Sequence, residues 1–274
     1  MKDSIIVIPV RMGSKRFPGK PLININGKSM VNCVWENAKK ANVGDVIVAC
    51  CDNIIEEHLI KKKIPYVTGK IAVSNNNLIY SKDNNKITNS HSDKFTHLLR
   101  YQNDSLMITY KTLNKDNPKL NCRLKGFEKY SPKRIVLDNK LNTEINSYLI
   151  RTANKKNTLI FYNKADKKKV LSFKKKGVQL IKSKINKNNE FNIKDILKKL
   201  YNMGCRNLLI EGGDRLTNSL LKNKIFNKFY LLKSPKSLSK SSEYLKFNSK
   251  DVLNRKYKKK IDLNLNLRKD KITL

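Results

Sequence analysis

Short apolar runs separated by polar stretches dominate the chain, and their period changes along it. Residues 4–10, SIIVIPV, are an unbroken apolar run of strand length. Residues 29–41 place Met30, Val34 and Trp35 at helical spacing behind Ser29, a residue type that caps helix starts. DVIVACC (45–51) reads as a second strand and NIIEEHLIKKK (53–63) as a second helix. Strand, helix, strand, helix is the opening of a parallel α/β sheet. From Pro65 the rhythm differs. Strands are predicted at 66–74, 105–110, 134–138, 157–162 and 226–234, with the apolar run VQLIKS at 178–183. Helical patterns fall at 91–102, 170–177, 192–204 and from Asp214, with Gly177 and Gly204 closing two of them. Residues 235–274 are rich in Lys, Ser and Asn, with weak strand signals at 243–247 and 270–274. The pattern divides the chain into residues 1–64 and 65–274.

Composition narrows the classes. Of 274 residues, 39% are hydrophobic, enough to bury a core. No apolar run has the length of a membrane span, and the short N-terminal run lacks a small-residue cleavage site, so neither a membrane segment nor a signal peptide is expected. Cys33, Cys50, Cys51, Cys122 and Cys205 are scattered, none forms C-x-x-C, and only three histidines occur. A structural zinc site is not expected, and a reducing cytoplasm is the expected location. The formal charge of +37 would suit a nucleic-acid surface. Lysines, however, run from end to end and are not gathered on one helix with interleaved aromatics. The charge therefore reads as composition, with attraction of phosphorylated small molecules as a by-product.

Two stretches carry candidate chemistry. In NLLIEGGDRLTNSLL (207–221) an apolar run stops at Glu211, two glycines follow, and a helix with Leu216, Leu220 and Leu221 on one side begins at Asp214, an N-cap type. Glycines let a chain turn tightly and let a phosphate approach backbone N–H groups at a helix start. Plain chain reversal is the alternative. In RMGSKRFPGKPL (11–22), a Gly-Ser turn flanked by Arg11, Arg16 and Lys20 reads as a phosphate cradle, or else as a basic surface loop.

The run IPVRMGSKRFPGKPLININGKSMVNCVWENAKKA resembles the start of the sugar nucleotidyltransferases, most of all 3-deoxy-manno-octulosonate cytidylyltransferase, which makes CMP-Kdo. The match rests on Arg11, Ser14, Arg16, Pro18, Lys20, Pro21, Leu22 and Asn26-Gly27-Lys28 and ends near residue 62. It implies a partial βαβα segment in which Arg11, Arg16 and Lys20 are vestigial nucleotide contacts. Ala49-Cys50-Cys51-Asp52 stands where that family usually has Ala-Thr-Asp-Asp, and the metal-holding acids have no counterpart, so no metal and no CMP-Kdo synthesis are expected.

From Pro65 the chain resembles the reductase domain of the bifunctional riboflavin-biosynthesis deaminase/reductase. The stretches that carry this are PYVTGKIAVS, KITNSHSDKFTHLLR, TLNKDNPKLNCR, PKRIVLD and NLLIEGGDRLTNSLL, in that order. The resemblance implies an α/β fold like dihydrofolate reductase, a mixed sheet flanked by helices. It also implies NADPH-dependent reduction of 5-amino-6-(5-phosphoribosylamino)uracil to the ribitylamino compound. Asp116 and Glu211 are the implied catalytic positions. Asn84, Arg100, Leu120, Arg123 and Glu211 are implied on the substrate, with Arg123 following a strand-like segment. Ala72, Lys86, Thr112, Asp116, Asn139 and Gly213, Asp214, Arg215, Leu216, Thr217, Asn218 and Ser219 are implied on the cofactor, Asp214 acting as a helix cap. A homodimer, a separate deaminase in the same pathway and no specific nucleic-acid or membrane partner complete the expectation. Three departures stand out: Ser74-Asn75-Asn76-Asn77 for the usual Ser-Leu-Asp-Gly, Lys86 for a tryptophan, and Asn84 for a serine.

Overall fold

The computed structural model describes residues 4–13, 17–26, 28–52, 54–55, 64–83, 86–240, 242–257, 262–263 and 270–273. The chain forms two compact units, Met1–Lys63 and Ile64–Leu274.

In the first unit, β1 (Ile5–Val10) leads to a short ladder of β2 (Asn24–Ile25) and β3 (Lys28–Ser29), then α1 (Met30–Lys40) and β4 (Asp45–Cys50). β1 and β4 pair in parallel, Ile5 opposite Asp45 and Val10 opposite Cys50. The Met12 N–H donates to Asp52 Oδ2 at 2.8 Å, fixing the loop after β1. Ile54 and Ile55 are helical, and the rest of the helix expected at 53–63 lies outside the described residues.

The second unit runs β5 (Tyr66–Val73), β6 (Leu78–Ser81), α2 (Ser90–Gln102), β7 (Ser105–Thr109), α3 (Tyr110–Asp116), β8 (Lys133–Leu137), α4 (Tyr148–Arg151), β9 (Thr158–Tyr162) and α5 (Lys167–Lys175). It continues with β10 (Gln179–Lys182), α6 (Ile193–Asn202), β11 (Asn207–Ile210), α7 (Asp214–Lys222), β12 (Lys228–Lys233), β13 (Tyr244–Lys246), α8 (Lys250–Lys256), β14 (Asp262–Leu263) and β15 (Lys271–Thr273). The main sheet has the order β10-β9-β8-β7-β11-β5-β12-β15-β14. Its seven strands from β10 to β12 are parallel, and β15 and β14 join antiparallel at one edge. The expected mixed sheet flanked by helices is what forms.

Alternation along the strands explains the two cores. Val67 and Ile71 on β5, Ile135 and Leu137 on β8, and Leu208 and Ile210 on β11 face one side, against Ile196, Leu197 and Leu200 of α6 and Leu220 and Leu221 of α7. Leu106 and Ile108, Val136, Ile160 and Leu209 face the other, against Leu99 of α2, Leu113 of α3, Leu149 and Ile150 of α4 and Phe173 of α5. Both faces of a parallel sheet must be covered, which is why these strands read as continuous apolar runs. Each fully buried Leu or Ile contributes about 1.5–3 kcal/mol. On β5, a Cβ at Gly69 would come 2.4 Å from the Phe229 ring and 2.6 Å from Phe226, so the glycine admits both rings.

Several elements were not legible in the pattern. No helix is predicted over residues 110–116, yet they form α3, which Asn117 closes at φ 39°. β6 pairs with β13 in a separate two-stranded ribbon, and α8 lies in the Lys-, Ser- and Asn-rich end.

Candidate active site

The C-terminal ends of β5, β7, β8 and β11 open into one cavity of about 1180 Å³. Ligands bind at this edge of open parallel sheets, where loops and helix starts converge. Its walls include Lys70 and Ala72, Thr109, Leu137 and Asn139, and Glu211 through Asp214. The ribbon of β6 and β13 supplies Tyr80, Tyr244 and Leu245 on another side.

Glu211 ends β11, its N–H held by the Met107 carbonyl at 3.1 Å. Arg100 on α2 forks onto it, Nε to Oε1 at 2.8 Å and Nη2 to Oε2 at 2.9 Å. Burial pushes the Glu211 carboxyl up, but Arg100, Lys70 and His97 together outweigh it and bring it down to about 2. Glu211 is therefore a fixed carboxylate that cannot donate a proton near neutrality. Arg100, implied on the substrate, turns its fork onto Glu211, and its remaining Nη1 donates to the Asn121 carbonyl at 3.2 Å. Beside the pair, Lys70 points from the middle of β5 into the cavity and has no hydrogen-bond or ion-pair partner among the described residues. Burial pushes its ammonium pKa down, with Glu211 pulling it back up. Asp116, at the end of α3, has its carboxyl raised by desolvation in the concave wall, against the opposing charge of Lys115.

The glycine pair answers differently from the turn chemistry. Neither Gly212 nor Gly213 has a positive φ. Gly213 sits at φ −68° and ψ 173°, open to any residue, as the N-cap of α7. What distinguishes it is space: a Cβ there would have nothing within 4 Å, and the residue lines the cavity. Asp214 is thus the first helical residue and not the cap. Its Oδ1 accepts from the Asn248 and Ser249 N–H groups at 2.9 and 3.0 Å and from Ser249 Oγ at 2.6 Å. That ties the start of α8 to α7 and occupies the one acid at this helix start.

Other expected contacts divide clearly. Lys86, Thr112, Asn139, Arg215, Leu216 and Ser219 line the cavity. Thr217 is buried with its Oγ1 on the Gly212 carbonyl at 3.4 Å. Asn218 has a buried Oδ1 without a hydrogen-bond partner. Leu120 is buried at φ 51°, and Arg123 is exposed in an irregular loop, not after a strand. Asn84 and Arg16 lie outside the described residues. Arg11 and Lys20 are exposed in the first unit. The loop carrying Asn139 is set by buried Asp138, whose carboxylate accepts the Asn142 and Thr143 N–H groups at 2.8 and 2.7 Å. In the altered turn, Ser74 Oγ donates to Asn76 Oδ1 at 2.6 Å, and Asn77 adopts φ 59° in place of the usual glycine.

Sequence reasoning missed Lys70, Tyr80 and Lys115. A lysine inside the apolar run YVTGKIAV was the available signal for Lys70. Lys115 Nζ lies 3.2 Å from the Tyr80 ring centroid and 2.5 Å from Glu243 Oε1, bridging α3 to the β6–β13 ribbon. Nothing in the separated segments foretold that contact.

The profile of the RibD C-terminal domain matches residues 65–269. The chain belongs to the RibD C-terminal domain family. The riboflavin biosynthesis protein RibD of Actinobacillus pleuropneumoniae is 33% identical over 190 residues, 68% of this chain and 50% of that protein. The chain spans about half the length of the curated RibD relatives it matches. The Acinetobacter baumannii RibD structure shares the fold at TM-score 0.63 and 17% identity, covering 93% of this chain and 69% of the other. A Thermotoga maritima structure, named as a diaminohydroxyphosphoribosylaminopyrimidine deaminase/5-amino-6-(5-phosphoribosylamino)uracil reductase, does so at 0.58 and 19%, covering 86% and 65%. A cytidylyltransferase profile matches residues 5–68, overlapping the RibD match at 65–68. There, 3-deoxy-manno-octulosonate cytidylyltransferase of Pseudomonas syringae pv. tomato is 54% identical over 52 residues, 19% of this chain and 20% of that protein.

Proposed function

We propose that residues 65–274 reduce 5-amino-6-(5-phosphoribosylamino)uracil to 5-amino-6-(5-phosphoribitylamino)uracil with NADPH. The observation that carries this reading is the meeting, in one cavity, of an open helix start at Gly213 with the Arg100-pinned Glu211 and Lys70. The residues fit the cofactor. The space in front of Gly213 admits a phosphate to backbone N–H groups, the Asp214 carboxylate is engaged elsewhere, and Arg215 and Ser219 stand on the same helix. Thr112 and Asn139 would hold its far side. When bound, it supplies the hydride.

The protein's share is orientation and a proton. A hydride reaching the sugar carbon must be matched by a proton on the departing ring oxygen. Glu211, held as a carboxylate, orients substrate hydroxyl or amino groups and does not give that proton. Asp116, shifted up, and Lys70, shifted down, are the two groups whose pKa values move toward the working range. Arg123, exposed with its Nη1 at 3.5 Å from Asn121 Oδ1, remains available for the ribose phosphate.

The same reading has the enzyme act in the cytoplasm as a homodimer and treats residues 1–64 as a cytidylyltransferase-like segment without its own catalysis. The test is nicotinamide oxidation by purified protein given the deaminated pyrimidine. Substrate-dependent oxidation by NADPH supports the assignment, and its absence at enzyme concentrations comparable to substrate defeats it.

A further inference from the structure

We infer that His97 is a positioning residue that holds the substrate-phosphate loop, residues 120–123, in its working conformation. This rests on the reductase reading above, because Arg123 is the phosphate contact in that reading. No sequence motif pointed to His97. It lies three residues before Arg100 on α2, so the two side chains share a helix face. His97 is buried, and its Nδ1 accepts the Arg123 backbone N–H at 3.3 Å. The His97 carbonyl accepts from Cys122 Sγ at 3.6 Å. One turn on, Arg100 Nη1 donates to the Asn121 carbonyl at 3.2 Å while its fork holds Glu211. Three successive loop residues, Asn121, Cys122 and Arg123, therefore hang from one face of α2.

The loop needs such a hold. Leu120 is a non-glycine residue at φ 51°, a conformation disfavoured for side chains with a Cβ. Strain of this kind persists only where surrounding contacts over-determine it. The Cys122 N–H adds one further tie, to Ser131 Oγ at 3.1 Å. The Arg123 side chain itself is exposed, and among the described residues its hydrogen bond is to Asn121 Oδ1 at 3.5 Å, the limit of bonding. Its direction is thus set through its backbone, and the backbone N–H is fixed by the His97 ring.

The hold depends on protonation. Neutral His97 with its proton on Nε2 leaves Nδ1 as an acceptor for Arg123. The Asn121 carbonyl is 3.2 Å from the same nitrogen. A protonated ring would donate to that carbonyl and release the Arg123 N–H. The charged groups facing the ring are Arg100 on its own helix, Arg123 from the loop and Glu211 from the end of β11. Burial and the two arginines push the ring's pKa below the usual histidine value, against the hydrogen bond to the Asn121 carbonyl and the pull of Glu211.

The test compares His97→Leu and His97→Asn with the wild type. Asn can offer an amide oxygen to the Arg123 N–H, whereas Leu fills space without an acceptor. In His97→Leu, the KM for the phosphoribosyl substrate should rise about tenfold or more, the scale of one lost directed bond, with the NADPH KM within about twofold. His97→Asn should recover most of that loss and should flatten the acid-side rise in substrate KM of the wild type. Because Leu could disturb α2, thermal unfolding of each variant is read alongside, and the Asn variant decides if Leu fails to fold. An unchanged substrate KM in both variants, or an equal rise for substrate and NADPH, overturns the role of His97 while leaving the reductase reading intact. Wild-type protein without turnover removes both.

Discussion

Two ion pairs border the same cavity and do different work. Arg100–Glu211 is a two-point fork whose side chains are 10% and 15% exposed. Lys115–Glu243 is a one-point contact whose members are 22% and 60% exposed. The first joins α2 to the end of the central strand β11. The second joins α3 to the two-stranded β6–β13 ribbon. Charge attraction in a shielded wall fixes an acid for chemistry, while the same attraction in water only biases where a ribbon rests. Two-stranded ribbons are marginal alone in water. The strand-end wall thus carries the shielded two-point tie and the ribbon wall the exposed one-point tie.

The sharpest break of this contrast is Arg100→Ala. It leaves Glu211 without its counter-charge in a shielded site, and a loss of about 3–5 kcal/mol in unfolding free energy is expected, with turnover abolished. Urea unfolding of variant and wild type measures it. A loss below about 1 kcal/mol would make the two pairs alike.

Acid is the next probe. The Glu211 carboxyl sits at about 2 in the folded chain, below its ordinary value. An acid whose pKa is depressed by folding stabilises above its unfolded value and loses that contribution as pH falls through the folded one. Stability should therefore decline from about pH 4.5 toward pH 2, and Glu211→Gln should flatten that part of the profile. His97 adds in the same direction at higher pH, since its pKa is lowered on folding. Its unfolded form binds protons first as pH drops below about 6.5. An acid limb identical in Glu211→Gln would remove the claim of a buried, pinned carboxylate.

The smallest expected effect belongs to Glu243→Gln. Stability should stay close to that of the wild type, and any rise in cofactor KM should shrink with added salt in the wild type as the exposed pair is screened. A destabilisation as large as that of Arg100→Ala would erase the difference between the two ties.

The same contrast marks what the sequence could reveal. The parallel strands and α2, α6 and α7 were legible because each buries a strong apolar face at a fixed period. The strand-end wall came into view through the family resemblance, which implied ligand contacts at Glu211, Gly213, Thr112, Asp116 and Asn139, and all five line the cavity. Roles were harder to read than places. Arg100 was expected on substrate and is bound to Glu211. Asp214 was expected as a cap and anchors α8. The Gly212-Gly213 pair was expected both to turn tightly and to leave room for a phosphate; neither glycine has a positive φ, and the open room lies at Gly213. The ribbon wall was illegible, because its contact joins Tyr80, Lys115 and Glu243 across long separations and carries no periodic signal. Asn77 is the exception there: Asn tolerates the left-handed backbone that the usual glycine takes, and a departure in sequence preserved a conformation.

The central claim is that the bare helix start at Gly213 seats the cofactor, and Gly213→Val tests it most directly. The backbone angles there suit valine and no protein atom obstructs its Cβ, so the fold should persist. Titrating NADPH into the folded variant should show binding lost or weakened at least about a hundredfold, with circular dichroism unchanged. A folded variant that binds NADPH with wild-type affinity would contradict the account.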